Sequence, residues 1–295
     1  LLAFPNIRNF TRKGRVMGDR TKVTMDETNE QYHAIEKPTP YLSSSVMKLA
    51  IDSMMMLQLH LFGLLPRVET SGMRRGTNWH EMREYGYQDF LKTTAVMPDE
   101  LCRADGSPRT NANAREFMEE HQDKQITSHK ELEVLSNMEK AFWNNPAAAR
   151  LEERVVHREN SYRVMNSGML YGQKARIDAL TSDGILLDYK TTSEQNVLGS
   201  FGRVARRYKY GLSAVMYQDI VSRCGIDVSE MHFIVSSTVQ PYECQVIKCE
   251  KGSLERWQAE YESLAYEINQ NWERITQGDL LLPRGTGEIH EVEMY

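Results

Sequence analysis

Apolar residues recur at three- and four-residue spacing through much of the first 150 positions, then alternate every second residue after residue 154. The first pattern predicts helices and the second predicts strands. A segment rich in Met and Leu starts at Ser43, Ser44 or Ser45, any of which could cap it, and stops at Gly63 and Pro66, so one helix is expected there. Its four Met residues are read as core packing. Further helices are predicted over 73–93, 112–121 and 127–144, the last closed by Asn144-Asn145-Pro146. Residues 103–113, with Asp-Gly-Ser-Pro inside them, form an internal loop. Strands are predicted over 155–159, 162–165, 171–180 and 185–190, then a helix over 203–223 and two strands over 231–235 and 242–248. The clearest element closes the chain: Ser253 caps it, Trp257, Tyr261, Leu264, Ile268, Trp272 and Ile275 line one face, and Gly278 ends it. This order predicts a mixed α/β domain with a helical N-terminal portion. Residues 1–40 lack sustained periodicity and read as an N-terminal arm, a candidate subunit contact. One domain over 41–285 and a tail over 286–295 follow.

Composition narrows the class. The 295 residues include 36 basic and 41 acidic side chains, a net charge of -5, with 9% aromatic residues. Aromatic content at this level excludes a disordered chain. The acidic balance excludes a protein that coats nucleic acid with its whole surface, so any such contact must use a local patch. The most apolar stretch, Val46 to Phe62, is interrupted by Lys48, Asp52, Gln58 and His60, so no membrane span is expected. The N-terminus runs straight into Arg8, Arg12, Lys13 and Arg15 without a leader's apolar core, and its first residue is Leu, as expected of a truncated or processed chain. Four scattered cysteines, Cys102, Cys224, Cys244 and Cys249, form neither a disulfide framework nor a zinc pair, and are expected as reduced thiols in a cytoplasmic protein. Cys244 and Cys249 should face opposite sides of the sheet region.

The chemistry concentrates in Gly172–Lys190. Two-residue alternation places Asp188 with Lys190 on one face, and Ile185, Leu187 and Tyr189 on the other. On the preceding strand Lys174, Arg176 and Asp178 should share a face opposite Ala175, Ile177 and Ala179. Asp183-Gly184 predicts a three-residue turn, Ser182–Gly184, with Gly184 left-handed. That turn opposes Thr181 to Ile185, Ala179 to Leu187 and Asp178 to Asp188. Opposed carboxylates repel unless a cation lies between them. They suit magnesium or manganese, with Lys190 orienting or deprotonating a water or stabilising developing charge. A solvated hairpin carrying a weak surface ion pair would show the same short pattern, so the hairpin alone leaves both readings open.

Asp178, then Asp188-Tyr189-Lys190 and Thr191-Thr192, resembles the PD-(D/E)XK motif, and more narrowly that of the RecE-type exonucleases of phages and prophages. Arg75-Gly76-Thr77-Asn78-Trp79-His80 resembles their Gly-Thr-x-x-His helix, where Gly76 would let the helix approach the sheet closely. Arg109-Thr110, His157-Arg158-Glu159-Asn160-Ser161 and Pro241-Tyr242-Glu243-Cys244 follow in matching order. The resemblance covers roughly residues 41 to 277. It implies a restriction-endonuclease-like core with a central mixed sheet flanked by helices. It also implies metal ligands at His80, Asp178, Asp188 and the Tyr189 carbonyl, a catalytic Lys190, and Glu159 as a further carboxylate. The cofactor would be Mg2+, with Mn2+ able to substitute.

The helix after the lysine departs from the family's Gln-x-x-x-Tyr: Tyr217 fits, but Ser213 stands at the Gln position. The contact made there, to lysine or to DNA, would be lost or water-bridged. Just before it, residues 201–210 hold Arg203, Arg206, Arg207 and Lys209, interleaved with Tyr208 and Tyr210 and without an acid. With Arg176 and Tyr217, Arg203, Arg206, Arg207, Lys209 and Tyr210 are the expected DNA contacts. The resemblance further implies 5′-to-3′ resection of linear double-stranded DNA ends, a ring-shaped homo-oligomer, a single-strand annealing protein as partner, and phage or prophage coding in a bacterial host. An endonuclease or opposite-polarity nuclease of the same fold, or an inactive DNA-binding member, are the alternatives. The clustered cysteines of iron–sulfur-bearing relatives are not recognisable, so no cluster is expected.

Overall fold

The computed structural model describes residues 20–24, 27–34, 40–66 and 70–277. Its central sheet contains β1 (Arg20–Thr24), β2 (Tyr41–Leu42), β5 (Val155–Met165), β6 (Gly172–Thr181), β7 (Ile185–Thr192), β8 (Glu230–Ser237) and β9 (Cys244–Lys248). The order is β1-β5-β6-β7-β8-β9, with β2 also on β6. β7 and β8 are parallel, as are β2 and β6, and the other neighbours are antiparallel. The mixed α/β class with helices flanking a mixed sheet is therefore observed.

Helices cover both faces. On one lie α2 (Ser44–Asp52), α3 (Met54–Leu61), α9 (Val197–Arg207), α10 (Tyr210–Arg223) and α11 (Lys251–Gln277). Their Met47, Leu57, Phe201, Leu212, Met216, Ile268 and Ile275 pack with Ala175, Ile177, Leu186 and Phe233 of the sheet. On the other lie α4 (Ser71–Tyr85), α5 (Tyr87–Thr93), α7 (His129–Asn144) and α8 (Pro146–Glu152), whose Trp79, Phe90, Phe142 and Leu151 cover Ile185, Leu187, Tyr189 and Ile234. Two buried faces explain why the central strands read as apolar on alternate and adjacent positions alike. Cys244 and Cys249 do pack on opposite faces. No helix among the described residues is long and apolar enough to cross a membrane.

Several expected elements are divided. The first helix breaks at Ser53, extended at φ -171°, whose amide closes α2 and whose hydroxyl accepts from Met55 N to start α3. The second breaks at Gly86, whose φ of +84° only glycine adopts readily. The helix expected over 203–223 begins at Val197 and breaks at Lys209, which has φ +54°. The two strands expected between 155 and 165 are one strand, β5. The expected cap Ser253 lies inside α11, which starts at Lys251, and Gly278 lies outside the described residues. A second, two-stranded parallel sheet, β3 (Thr94–Met97) with β4 (Gln125–Ser128), was not expected; α6 (Ala112–Glu120) lies between its strands in sequence.

Part of the expected N-terminal arm belongs to the sheet. β1 pairs with β5, Glu27 forms an ion pair with buried Arg163, and Lys174 donates to the carbonyls of Tyr32 and Ala34 beside α1 (Asn29–His33).

Candidate metal centre and nucleic-acid face

The hairpin has the expected register: Ala179 opposes Leu187, Leu180 opposes Leu186, and Gly184 has φ +80°. The ladder stops there. Beyond it β6 and β7 part, because the same edge of β6 is taken at Gly172 and Gln173 by β2. The even alternation expected on β6 fails at this fork. Ala175 and Ile177 pack in one core and Ala179 in the other, so the strand changes face at Asp178. Asp178 bridges the gap itself: its Oδ2 accepts the Tyr189 backbone N–H at 2.7 Å.

Around this fork the expected groups converge. His80, on α4, places Nδ1 3.5 Å from Asp178 Oδ2. Glu159 lies mid-strand in β5 with φ +51°, a conformation that costs a non-glycine residue about 1–2 kcal/mol and re-aims its side chain. One ligand atom from each of His80, Glu159 and Asp178 lies within 4.8 Å of the others. On β7, Asp188 pairs through Oδ1 with Lys190, while its buried Oδ2 has no hydrogen-bond partner. Gly76 does face β7, but a Cβ there would meet Thr191 Oγ1 at 3.7 Å, an ordinary contact, so close approach does not demand glycine.

Electrostatics set the protonation states of the cluster. Burial pushes the Glu159 carboxyl up to about 7, with Glu84 and Asp188 adding repulsion against the favourable pull of Arg176. Asp178 is held well above the usual carboxylate range by burial, then by Asp188 and Glu159. Burial and then the Lys190 charge push His80 down to about 4, so its imidazole is neutral and free to ligate. Burial opposes the charge on Lys190, but Asp188 and Asp178 more than offset it and hold the lysine protonated. Crowded carboxylates, a neutral imidazole and one orphaned carboxylate oxygen fit a divalent cation.

Sequence reasoning missed the support behind this site. Tyr189 turns its ring to the opposite face, where its hydroxyl donates to Glu152 Oε2 at 2.7 Å and accepts from Arg158 at 3.3 Å. Arg83 joins Glu152 at 3.7 Å and Glu139 at 2.7 Å. Glu152 ends a helix, α8, that the strand signal of the next residues concealed.

The expected DNA contacts divide. Arg206 and Arg207 are exposed on α9. Arg203 is exposed and pairs with Glu194 at 2.7 Å, and Lys209 pairs with Asp52 at 2.8 Å. Tyr210 turns inward and stacks on Phe233, leaving Tyr208 outside. Tyr217 is half-buried and accepts from Ser44 Oγ at 3.4 Å. Arg176 has a side chain 14% exposed and pairs with Glu159 at 2.7 Å, inside the carboxylate cluster. Ser213, at the position of the family's Gln, accepts from Lys48 at 2.7 Å through its Oγ.

A mixed sheet between helical layers, with carboxylates and a lysine at the fork of two strands, defines a PDDEXK-like nuclease domain. Over residues 43–279 the sequence matches the family described as the PDDEXK-like domain of unknown function, and the chain belongs to that family. Among solved structures, it is similar to a provisionally named exonuclease from Eubacterium rectale, with a TM-score of 0.57 and 11% identity over 92% of this chain and 97% of the other. At that identity the likeness speaks to the fold. No curated protein sequence matches the chain. Nucleases of this class use a divalent metal, and the His80, Glu159 and Asp178 cluster could hold one.

Proposed function

We propose that this protein is a metal-dependent exonuclease that resects linear double-stranded DNA ends from 5′ to 3′, in the manner of the RecE-type enzymes its motifs resemble. The observation that carries this reading is the convergence of His80, Glu159 and Asp178 beside the unpartnered oxygen of Asp188 and the Lys190 ammonium. Asp178, Asp188, His80 and Glu159 would hold Mg2+ or Mn2+, with the Tyr189 carbonyl as a further oxygen. Bound there, the cation would lower the pKa of a water and steady charge on the phosphoryl oxygens. Lys190, held protonated, would orient that water and stabilise the charge that develops, a role that suits its ion pair better than a general base would. Glu159 and Asp178 would accept hydrogen bonds from the water once their own protons are displaced.

Arg206, Arg207 and Tyr208 lie on the helix and turn that follow the lysine strand, and would carry backbone phosphates toward the site. A net charge of -5 with a local basic segment fits a ring-shaped homo-oligomer that meets DNA on its inner side, and the remaining 3′ strand would pass to a single-strand annealing protein.

The test uses linear duplex labelled separately at its 5′ and 3′ ends, beside a closed circle, with magnesium, with EDTA and with Asp188→Ala. Progressive loss of the 5′ label from linear DNA, abolished by EDTA and by the substitution, is expected. Cutting of the circle would reject the exonuclease reading. Folded protein that binds DNA but cleaves none in magnesium or manganese would reject catalysis altogether.

A further inference from the structure

A second lysine approaches the same aromatic ring as Lys190. Lys48, on α2, is half-buried, and its Nζ donates to Ser213 Oγ at 2.7 Å. It stands 5.7 Å from the centroid of the Tyr210 ring, and Lys190 stands 5.4 Å from the same centroid. Two ammonium groups thus share one aromatic ring. Lys190 is compensated by Asp188, and the neighbouring Lys209 by Asp52. Lys48 has no carboxylate within ion-pair distance among the described residues; it donates to Ser213, which in turn bonds Ser44 at 3.2 Å, and Ser44 bonds Tyr217 at 3.4 Å.

A half-buried cation with no carboxylate at ion-pair distance, next to a second cation, is an unfavourable arrangement. Burial, and then the Lys190 charge, push Lys48 down to about 8 against the partial pull of Asp188. The ring face attracts both ammonium groups but removes none of their charge. An anion would. The short Ser213 side chain leaves room for the Lys48 ammonium, holds one of its three protons, and leaves the others to donate.

We propose that Lys48, positioned by Ser213 and Tyr210, binds a phosphate of the substrate strand beside the one served by Lys190. This rests on the nuclease reading of the site, and makes Lys48 a substrate-binding residue supplied by a helix outside the carboxylate cluster.

Binding and cleavage separate the two ideas. Affinity for a short linear duplex would be measured in EDTA from 50 to 200 mM NaCl for wild type, Lys48→Met and Lys48→Arg, and cleavage would be followed with magnesium. Loss of one phosphate contact should flatten the slope of log K against log salt by about 0.9 in the Met variant. The Arg variant should keep the wild-type slope, and neither should lower the thermal midpoint. Met-variant binding and slope equal to wild type, with wild type cleaving, would overturn the role of Lys48 and leave the nuclease reading standing. Weakened binding in both variants together with a lowered midpoint would show a structural role only, and would also overturn it. A flattened slope in the Met variant alone, with wild type inert in every metal, would uphold the phosphate contact and remove the nuclease reading.

Discussion

Replacing Glu159 by Gln should stabilise the metal-free protein at pH 8, although it removes one partner of an ion pair. Glu159 meets Arg176 at 2.7 Å with both side chains about one-seventh exposed, and breaking such a pair ordinarily destabilises. Here burial, reinforced by Glu84 and Asp188, outweighs the arginine and lifts the carboxyl from 4.5 to about 7. A folded value above the unfolded one means that the fold favours the neutral acid. That stability is fully present below pH 4.5 and is lost as pH rises through 7. At roughly 1.4 kcal/mol per pH unit, the loss is about 3 kcal/mol. Gln stays neutral throughout, so the variant should exceed wild type by about 3 kcal/mol at pH 8 and converge with it near pH 4.5. Urea denaturation in EDTA at both pH values measures this, from the midpoint at unchanged m. Magnesium at 100 times its dissociation constant should then close most of the gap, because it adds about 2.7 kcal/mol to the protein that binds it. A variant less stable than wild type at pH 8 in EDTA would refute the reasoning, since the Arg176 pair would then dominate the cluster.

Three further substitutions probe the surroundings. Gly76→Ala should leave the thermal midpoint unchanged or raise it, because the added methyl has ordinary contact with Thr191 and Ala favours a helix interior by up to about 1 kcal/mol. Gly211→Ala should cost about 1–3 kcal/mol or more by the same measurement, since its methyl would overlap the Trp257 ring. Tyr189→Phe should cost about 1–3 kcal/mol in urea by leaving Glu152 and Arg158 short of a partner, while magnesium affinity by calorimetry stays unchanged because the backbone bond to Asp178 remains.

The hairpin was legible because its register depends on local chemistry: Asp183-Gly184 sets the turn, and the turn sets which residues oppose. The change of face at Asp178 was not, because it falls opposite the positive φ of Glu159 on β5, where the β5–β6 ladder is interrupted, a backbone feature that no pattern of residues announces. Ser53 and Gly86 are both recognisable as caps, yet the apolar pattern continues across them and conceals the breaks. β3 and β4 have four residues each and pair in parallel across an intervening helix, leaving no local signature. At the site, Asp178, Asp188, Lys190, His80 and Glu159 were named from motif order, and the structure brings them together. Lys48 escaped because it sits in a Met-rich helix that reads as core, and only tertiary packing turns it toward Tyr210.

The turn at 182–184 acts as a ruler for the site. It fixes how far along each strand the two aspartates fall, and it is itself pinned: Ser229 N donates to the Gly184 carbonyl at 2.9 Å, and Ser229 Oγ donates to that of Asp183 at 3.0 Å. Any side chain at Gly184 would strike the Asp227 carbonyl. The spacing of the two carboxylates is thereby set at the far end of the hairpin. Lengthening that turn by one residue would misalign both carboxylates at once.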